Sequence, residues 1–196
     1  SSNYVKGAIP TQLCLLTRLQ RLDLSSNWLT GKLPTCLVLL TRLQQLDLSS
    51  NNLDGTIPTR ISKLTELQFL ALHYNSMSGH LPSALRYLQN LTALSLSSPA
   101  RQFSTVTFWS SLTQMTTLIV AAYYPSFDFD DDDFKASIPT ELGLLTKLDT
   151  LRLANVYFGG SIPAELGQLS VLQVLTIRNC GLEGSIPTEL RLMSSL

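Results

Sequence analysis

Prolines recur in this chain at a fixed interval of 24 residues. Seven of the nine prolines follow that interval, with one longer step of 57 residues that equals two intervals plus nine, and they lie at positions 10, 34, 58, 82, 139, 163 and 187. A glycine precedes six of these prolines by three residues. A fixed period of roughly 20 to 50 residues is typical of a solenoid, in which each unit packs only on its neighbours. The repeat therefore constrains the fold before any local propensity is considered.

Leucines keep the same period and give each unit the form L-x-x-L-x-L-x-x-N-x-L-x-G-x-I-P-x-x-L-x-x-L-x-x, which residues 43–66 match almost fully. Because side chains alternate along a strand, Leu22 and Leu24 are predicted to point inward while Asp23 points out. Stacked units then place their strands side by side as one parallel sheet. The units begin at Leu19, Leu43, Leu67, Leu91, Met115, Leu148 and Leu172.

Two polar positions of the unit have predicted structural roles. The asparagine at the ninth position, such as Asn27 or Asn51, is expected to bond backbone groups of neighbouring coils that would otherwise be buried without partners. Cys180 replaces this asparagine in the unit from Leu172 and is expected to be buried. A threonine after the proline, such as Thr35, lies where a short helical turn is capped.

The unit, with its G-x-I-P segment, resembles the plant-type leucine-rich repeat over the whole chain. The resemblance implies an α/β fold: a right-handed solenoid of about eight coils, with a parallel sheet on the concave face and short 3-10 or α turns on the convex face. We expect a single solenoid segment, 1–196, with a partial first coil at 1–18. Because neither end shows the polar cap that a solenoid needs, the sequence predicts a segment of a longer protein with both end caps missing.

Two units depart from the pattern. Unit 91–114 replaces the asparagine and the glycine by Pro99 and Phe103, and the unit from Met115 carries a nine-residue insertion, at about 123–134. The alternatives are a special function at this place or drift in a tolerant loop, since insertions often lie on the binding face. The alternatives for the acidic run 128–133 are that it steers a basic partner or that it folds back onto Arg152 and Arg178. Calcium is a weaker alternative, because an EF-hand would need Gly and Glu where the chain has Asp133 and Pro139.

Outward strand positions and the insertion form the predicted recognition surface. The resemblance extends to ectodomains of receptor kinases and receptor-like proteins and to polygalacturonase-inhibitor proteins, which take ligands on the concave face or on an insertion folded over it. Aromatic and arginine side chains contribute most to binding energy, so those on this surface are predicted to contact the partner. The alternative is that they are ordinary sheet residues packed on cross-strand neighbours. The predicted partner-binding residues are Phe69, His73, Tyr74, Tyr123, Tyr124, Arg152, Tyr157, Arg178, Asp128, Asp130, Asp131, Asp132 and Asp133.

Composition and motifs argue against several classes of function. A net charge of zero argues against nucleic-acid binding, and no apolar run approaches the ~18 residues of a membrane span. Asp47, Ser49 and His73 are expected to lie near one another, but a flat exposed sheet offers no oxyanion hole. We therefore predict a protein that is not an enzyme and has no cofactor and no metal site. Asn90 opens the N-x-S/T sequon and is the predicted glycosylation site, exposed between a turn and a strand.

The cysteines are predicted to be free thiols. Cys14 and Cys36 fall at different unit positions in adjacent coils, near or beyond the ~7 Å Cα separation that a disulfide permits. Cys180 is the third. No cellular compartment follows from them.

The predicted function is recognition of a protein or a peptide by a non-catalytic module. The alternative is a structural or scaffolding subunit of a larger assembly. Binding of ice or a polysaccharide is less favoured, although Thr11, Thr35 and Thr59 align in successive coils. The resemblance implies an extracellular or cell-surface location, with the lumen of the secretory pathway or an intracellular assembly as alternatives.

Overall fold

The computed structural model describes residues 3–97, 108–121 and 137–196. Short strands alternate along these residues with 3-10 helices. The strands are β1 Lys6–Gly7, β2 Arg21–Asp23, β3 Trp28–Lys32, β4 Gln45–Asp47, β5 Asn52–Asp54, β6 Phe69–Ala71, β7 Ala93–Leu96, β8 Thr117–Ala121, β9 Thr150–Ala154 and β10 Val174–Arg178. The 3-10 helices are η1 Thr11–Leu15, η2 Thr35–Leu39, η3 Thr59–Lys63, η4 Ser83–Tyr87, η5 Trp109–Ser111, η6 Thr140–Leu144, η7 Ala164–Gln168 and η8 Thr188–Leu192.

Seven strands form one parallel sheet in the order β10-β9-β8-β7-β6-β4-β2, which we call the concave sheet. Its register follows the repeat, because Leu22, Leu46, Leu70 and Leu94 are direct partners on successive strands. The register continues from β8 to β9, where Leu118 pairs with Leu151 across the longer unit. A smaller parallel sheet, β1-β3-β5, forms the side of the first coils. The predicted solenoid with a parallel sheet and short 3-10 turns is confirmed.

The inward leucines form a continuous spine. Leu46, Leu70, Leu94, Leu118 and Leu151 are all 0% exposed. Burial of such a side chain contributes about 1.5–3 kcal/mol, and each one packs between the equivalent residues of two neighbouring coils. Within the described residues no helix is long and apolar enough to cross a membrane.

The ninth-position asparagines form the predicted ladder. Asn51 accepts a hydrogen bond from Leu29 N at 3.0 Å through its Oδ1. Its Nδ2 donates to the carbonyl oxygens of Leu24, Leu48 and Ser49, at 2.9, 3.2 and 3.1 Å. These bonds satisfy backbone groups of two coils at once, which confirms the prediction. They also tie the end of each strand to the next coil.

Cys180 takes the ladder position in the last complete coil. Its thiol lies 3.3 Å from the carbonyl oxygens of both Leu153 and Arg178, and the residue is 4% exposed. The prediction that Cys180 is buried is confirmed. Desolvation raises the pKa of the Cys180 thiol, so the thiol stays protonated and serves as a donor.

Two predictions are wrong. Cys14 and Cys36 are not free thiols but form a disulfide, with their Cα atoms 5.8 Å apart. The stacked 3-10 helices η1 and η2 bring them together, because a two-residue offset advances only about 4 Å along such a helix. The threonines after the prolines do not cap these helices. Pro34 occupies the N-cap of η2 and Thr35 is its first helical residue, so the threonine hydroxyl has no capping bond.

Candidate recognition surface on the concave sheet

One row of outward side chains runs across the concave sheet at the fifth unit position. The strand register aligns these residues as direct partners, so the row shows how chemistry changes along the solenoid. It begins with carboxylates, continues with small and apolar side chains, and reaches a guanidinium on β9. In strand order from β2 to β10 the row is Asp23, Asp47, Ala71, Ser95, Ile119, Arg152 and Thr176.

The two carboxylates on β2 and β4 are held in the same way. Asp23 Oδ1 accepts from Ser25 N at 2.9 Å and from Ser25 Oγ at 2.7 Å. Asp47 Oδ1 accepts from Ser49 N at 2.9 Å and from Ser49 Oγ at 2.6 Å. The Ser25 hydroxyl and amide lower the pKa of Asp23, since both bonds favour its ionised form. This end of the surface therefore carries negative charge.

An aromatic and hydroxyl cluster occupies the centre. The Nδ1 atom of His73 lies 2.8 Å from Ser95 Oγ on the next strand. The imidazole contacts the ring of Tyr74 edge to face, with centroids 4.9 Å apart. The backbone N–H of Tyr74 donates to Ser97 Oγ at 2.5 Å, and that hydroxyl donates to the carbonyl of Ala121 at 2.9 Å. We call His73, Tyr74, Ser95 and Ser97 the central cluster.

His73 is half-buried in this cluster. Burial lowers its pKa from the ordinary value of 6.5, and the charge of Asp47 opposes that shift. The imidazole is therefore neutral at pH 7 and presents one donor and one acceptor. A neutral ring beside Tyr74 extends the aromatic contact area at the centre of the surface.

Tyr74 has an unusual backbone conformation, which the sequence reasoning missed. Its φ is 57°, in the left-handed region. The equivalent residues Ser26, Ser50, Asn155 and Asn179 share this conformation. Asparagine tolerates it, whereas a bulky side chain does so at a cost of about 1–3 kcal/mol. The asparagines at the eighth unit position were the sequence signal for this geometry.

The conceivable Ser-His-Asp trio is not assembled. The Oδ1 atom of Asp47 accepts two hydrogen bonds from Ser49, its own neighbour, at 2.6 and 2.9 Å. The Nδ1 of His73 instead contacts Ser95, which is 5% exposed. A nucleophilic hydroxyl would need the other ring nitrogen as its base and access to substrate. Among the described residues, no group of three or more His, Cys, Asp or Glu side chains is placed to hold a metal ion.

The other end of the surface is basic and contains a tyrosine whose ring packs against a glycine. Arg152 on β9 and Arg178 on β10 are both exposed. Tyr157 is 59% exposed and lies so close to Gly181, at φ 60°, that a Cβ on the glycine would overlap its ring. Asn179 Nδ2 donates to Asn155 Oδ1 at 3.1 Å, which links the two coils. The structure thus places both arginines on adjacent strands of one face.

The remaining predicted site residues lie in several places. Phe69 is half-buried and is the first residue of β6. Asn90 is exposed, as expected for a glycosylation site, and its Nδ2 donates to the carbonyl of Thr65 at 2.9 Å. The following predicted residues lie outside the described residues: Tyr123, Tyr124, Asp128, Asp130, Asp131, Asp132 and Asp133.

A second exposed aromatic group lies away from the concave sheet. Tyr4 and Trp28 are 74% and 54% exposed, with ring centroids 6.4 Å apart. The Nζ atom of Lys6 lies 5.7 Å from the centre of the Trp28 ring. This group is on the side sheet of β1, β3 and β5, and the sequence reasoning did not single it out. It does not contribute to the surface described above.

Comparisons with known proteins point to one repeat class. Leucine-rich-repeat family models match residues 1–53 and 171–193. The solved ectodomain of the Arabidopsis receptor kinase HAESA is 30% identical, with a TM-score of 0.71 over 95% of this chain and 30% of that chain. A TDR receptor is also 30% identical, with a TM-score of 0.69 over 97% of this chain and 36% of that chain. A plant ice-binding protein is 27% identical, with a TM-score of 0.70 over 96% of this chain and 57% of that chain.

This chain therefore spans about a third of the length of the receptor structures it matches. No curated protein matches its sequence. The phased G-x-I-P units, the seven-stranded parallel sheet and these matches together make the chain a plant-type leucine-rich repeat protein.

Proposed function

We propose that this chain is a non-catalytic recognition module that binds a peptide or a protein segment on its concave sheet, outside the cell or at its surface. The central cluster is the observation that carries the proposal. It holds the Tyr74 ring, which is partly exposed, edge to face against His73 at the centre of the sheet. Tyrosine is a frequent binding hot spot.

The small side chains around the cluster also favour close docking. Ala93 lies beside Phe69, and Ser95 lies beside Ala71, in the register of β6 and β7. Ala71 and Ser95 are buried, whereas Phe69, Ala93 and the rings of the central cluster are partly exposed. A partner can therefore cover the cluster without meeting large side chains that would have to move, which limits the entropy lost on binding.

The similar structures and the disulfide support the recognition role and its location. The HAESA ectodomain was solved with the IDA peptide hormone bound, and another similar structure is the plant peptide hormone receptor RGFR1 in complex with RGF2. The Cys14–Cys36 bond suits an oxidising compartment, since disulfides are rare in the cytosol. The acidic run 128–133, which follows β8 in sequence, is included in the proposed surface on sequence grounds alone.

A selection from a displayed library of twelve-residue peptides on the full chain tests this proposal. The affinity of each selected peptide is then measured for Tyr74→Asn and for Tyr87→Asn. Asparagine tolerates the left-handed backbone at 74, so the first variant removes the ring and keeps the fold. Tyr87 is 63% exposed at the end of η4, on the opposite face, and is the matched control.

We expect Tyr74→Asn to weaken binding at least about tenfold, in the range of a hot-spot residue. Tyr87→Asn should change the affinity less than about twofold, because a side chain outside an interface contributes little to it. Equal loss in both variants, or no peptide that depends on Tyr74, would contradict the proposal.

Ice binding is a second candidate that one observation favours. Thr11, Thr35 and Thr59 are exposed at the same position of three successive coils. Proline, not threonine, caps each helix, so these hydroxyls are free of the structural role that the sequence suggested. The similarity to a plant ice-binding protein adds to the case. Inhibition of ice recrystallisation that falls with Thr35→Leu and Thr59→Leu, but not with Thr188→Leu, would support it, and no inhibition by the unaltered chain would exclude it.

A further inference from the structure

We infer that the ligand of the concave sheet is a bipolar extended segment. It has a basic group over Asp47, an acidic group over Arg152 and Arg178, and an uncharged middle over the central cluster. The inference rests on the proposed function and adds the charge pattern of the ligand and the spacing of its charges.

The two charged ends lie on one face at a distance that the sheet sets. Asp47 and Arg152 belong to the same row of the register, on β4 and β9. Four strand steps of about 4.8 Å separate them, so the charges are about 19 Å apart. Arg178 on β10 adds one step and lies two residues further along its strand, which makes its distance from Asp47 about 25 Å. An extended peptide covers that span with about six or seven residues.

Asp47 is partly exposed on the concave sheet, and one of its carboxylate oxygens is engaged by its own coil. Its Oδ1 is occupied by the amide and the hydroxyl of Ser49. Its Oδ2 has no hydrogen-bond partner among the described residues. The outward neighbours Gln45, Phe69 and Ala71 bring no positive charge to it. A lysine or arginine of the ligand is the group that complements this oxygen.

The neighbouring strand β2 adds a second carboxylate and one cation. Asp23 is the direct partner of Asp47 in the register, and its pKa is lowered by Ser25. Arg21 lies two residues earlier on the same face, and among the described residues the two form no ion pair within 4.0 Å. Two adjacent like charges on a sheet repel each other. A cationic group of a ligand between Asp23 and Asp47 would relieve that repulsion.

The opposite end carries two guanidinium groups. Arg152 and Arg178 are exposed, and their side chains have no ion-pair or hydrogen-bond partner among the residues that the structure describes. The outward residues around them are Thr150, Ala154 and Thr176, which carry no negative charge. Guanidinium groups bind carboxylates with two parallel hydrogen bonds, so an acidic side chain of the ligand fits this end.

The middle of the row selects against charge. Ala71, Ser95 and Ile119 lie between the two ends and carry no charge; Ala71 and Ser95 are buried, and Ser95 Oγ is engaged with His73. A charged ligand residue here would lose water without gaining a counterion, and this cost discriminates against other charge patterns. The charge order along the solenoid thus sets both the spacing and the neutral centre of the ligand.

Sequences enriched in the twelve-residue library give the first test. We expect a lysine or arginine and an aspartate or glutamate separated by about six or seven residues, with uncharged residues between them. The second test is a double-mutant cycle that combines Asp47→Asn, or the pair Arg152→Gln and Arg178→Gln, with neutral substitutions in one selected peptide. Asparagine keeps an oxygen for Ser49, so the first variant changes charge with little change of shape.

The matched pairs should couple and the crossed pairs should not. Asp47→Asn should weaken binding about fivefold for a peptide that has its basic residue. It should weaken binding less than about twofold for the same peptide with glutamine in place of that residue. The acidic residue of the peptide should couple to the arginines in the same way. The peptide variants need no change of the protein, so a folding defect cannot imitate the result.

Two outcomes would overturn the inference. Peptides that depend on Tyr74 but lack the charge spacing, or show no coupling to Asp47 and the arginines, would contradict it and leave the proposed function standing. A library that yields no Tyr74-dependent peptide would contradict both.

Discussion

Replacing Asn51 by alanine tests how the ladder holds the coils together. Asn51 is 8% exposed and makes four hydrogen bonds to the backbone: one accepted from Leu29 N and three donated to Leu24, Leu48 and Ser49. A neutral hydrogen bond contributes about 1 kcal/mol net, and water cannot replace a partner at this depth. We therefore expect Asn51→Ala to lower the free energy of unfolding by about 4 kcal/mol.

The depth of the position sets the size of the effect. Asn27, at the same unit position, makes three bonds, to Val5 N, Leu24 O and Ser25 O, and is only half-buried. Water can replace part of this set, so Asn27→Ala is expected to cost about 2 kcal/mol. Asn52 follows Asn51 and is exposed on β5, which makes Asn52→Ala the matched control, with an effect within about 0.5 kcal/mol.

Urea titrations followed by far-UV circular dichroism measure all three variants. The expected order of destabilisation is Asn51, then Asn27, then Asn52. If Asn51→Ala loses less than about 1 kcal/mol, or loses no more than Asn52→Ala, the reasoning that buried backbone groups depend on this amide is refuted.

Three further predictions concern packing, the disulfide and pH. Gly167→Ala places a Cβ against the backbone carbonyl of Glu189, so overpacking should cost about 1–3 kcal/mol in the same titration. Serine at both Cys14 and Cys36, which are 22 residues apart, should remove about 3 kcal/mol, and a reductant should then no longer shift the thermal midpoint. Burial lowers the pKa of His73 from 6.5, so the unfolded chain binds its proton more readily. Stability should fall as the pH drops below about 6.5, and His73→Gln should reduce that slope in titrations at about pH 5 and about pH 7.5.

The concave sheet was predictable because, in a solenoid, residues one repeat period apart become direct partners on neighbouring strands. Leu22, Leu46 and Leu70 are 24 residues apart in sequence and are direct partners in the sheet. The alternation of side chains then fixes which residues face outward, so Asp47 and Arg152 could be assigned to one face from the sequence alone. The hydrogen bonds of the ninth-position asparagines could be predicted for the same reason.

The disulfide could not be predicted by the same rule. The register of strands does not extend to the 3-10 helices, where a residue rises about 2 Å and not the about 3.3 Å of a strand. Cys14 and Cys36 differ by two unit positions, and a strand-like spacing overestimates their separation, which is 5.8 Å between Cα atoms. The prediction that threonine caps the helix was also wrong, because Pro34 is the N-cap of η2 and Thr35 is the first residue of the helix.

The central cluster was predicted only in part. The alternation of the strand placed His73, at the seventh unit position, on the concave side, and Tyr74 was assigned to the same side as the eighth position of the unit. The left-handed backbone of Tyr74 depends on φ, which residue identity does not reveal for a tyrosine. The contact between His73 and Ser95 depends on rotamers of two strands, and therefore required the structure.

A photo-crosslinking experiment at two tyrosines tests most directly whether the concave sheet is the binding surface. Benzoylphenylalanine replaces Tyr74 in one variant and Tyr87 in another, so that the same reactive group lies on opposite faces of the solenoid. Irradiation with a selected peptide, followed by mass spectrometry, shows which position the ligand reaches. We expect the crosslink at 74 and none at 87. A crosslink at 87 without one at 74 would contradict the account.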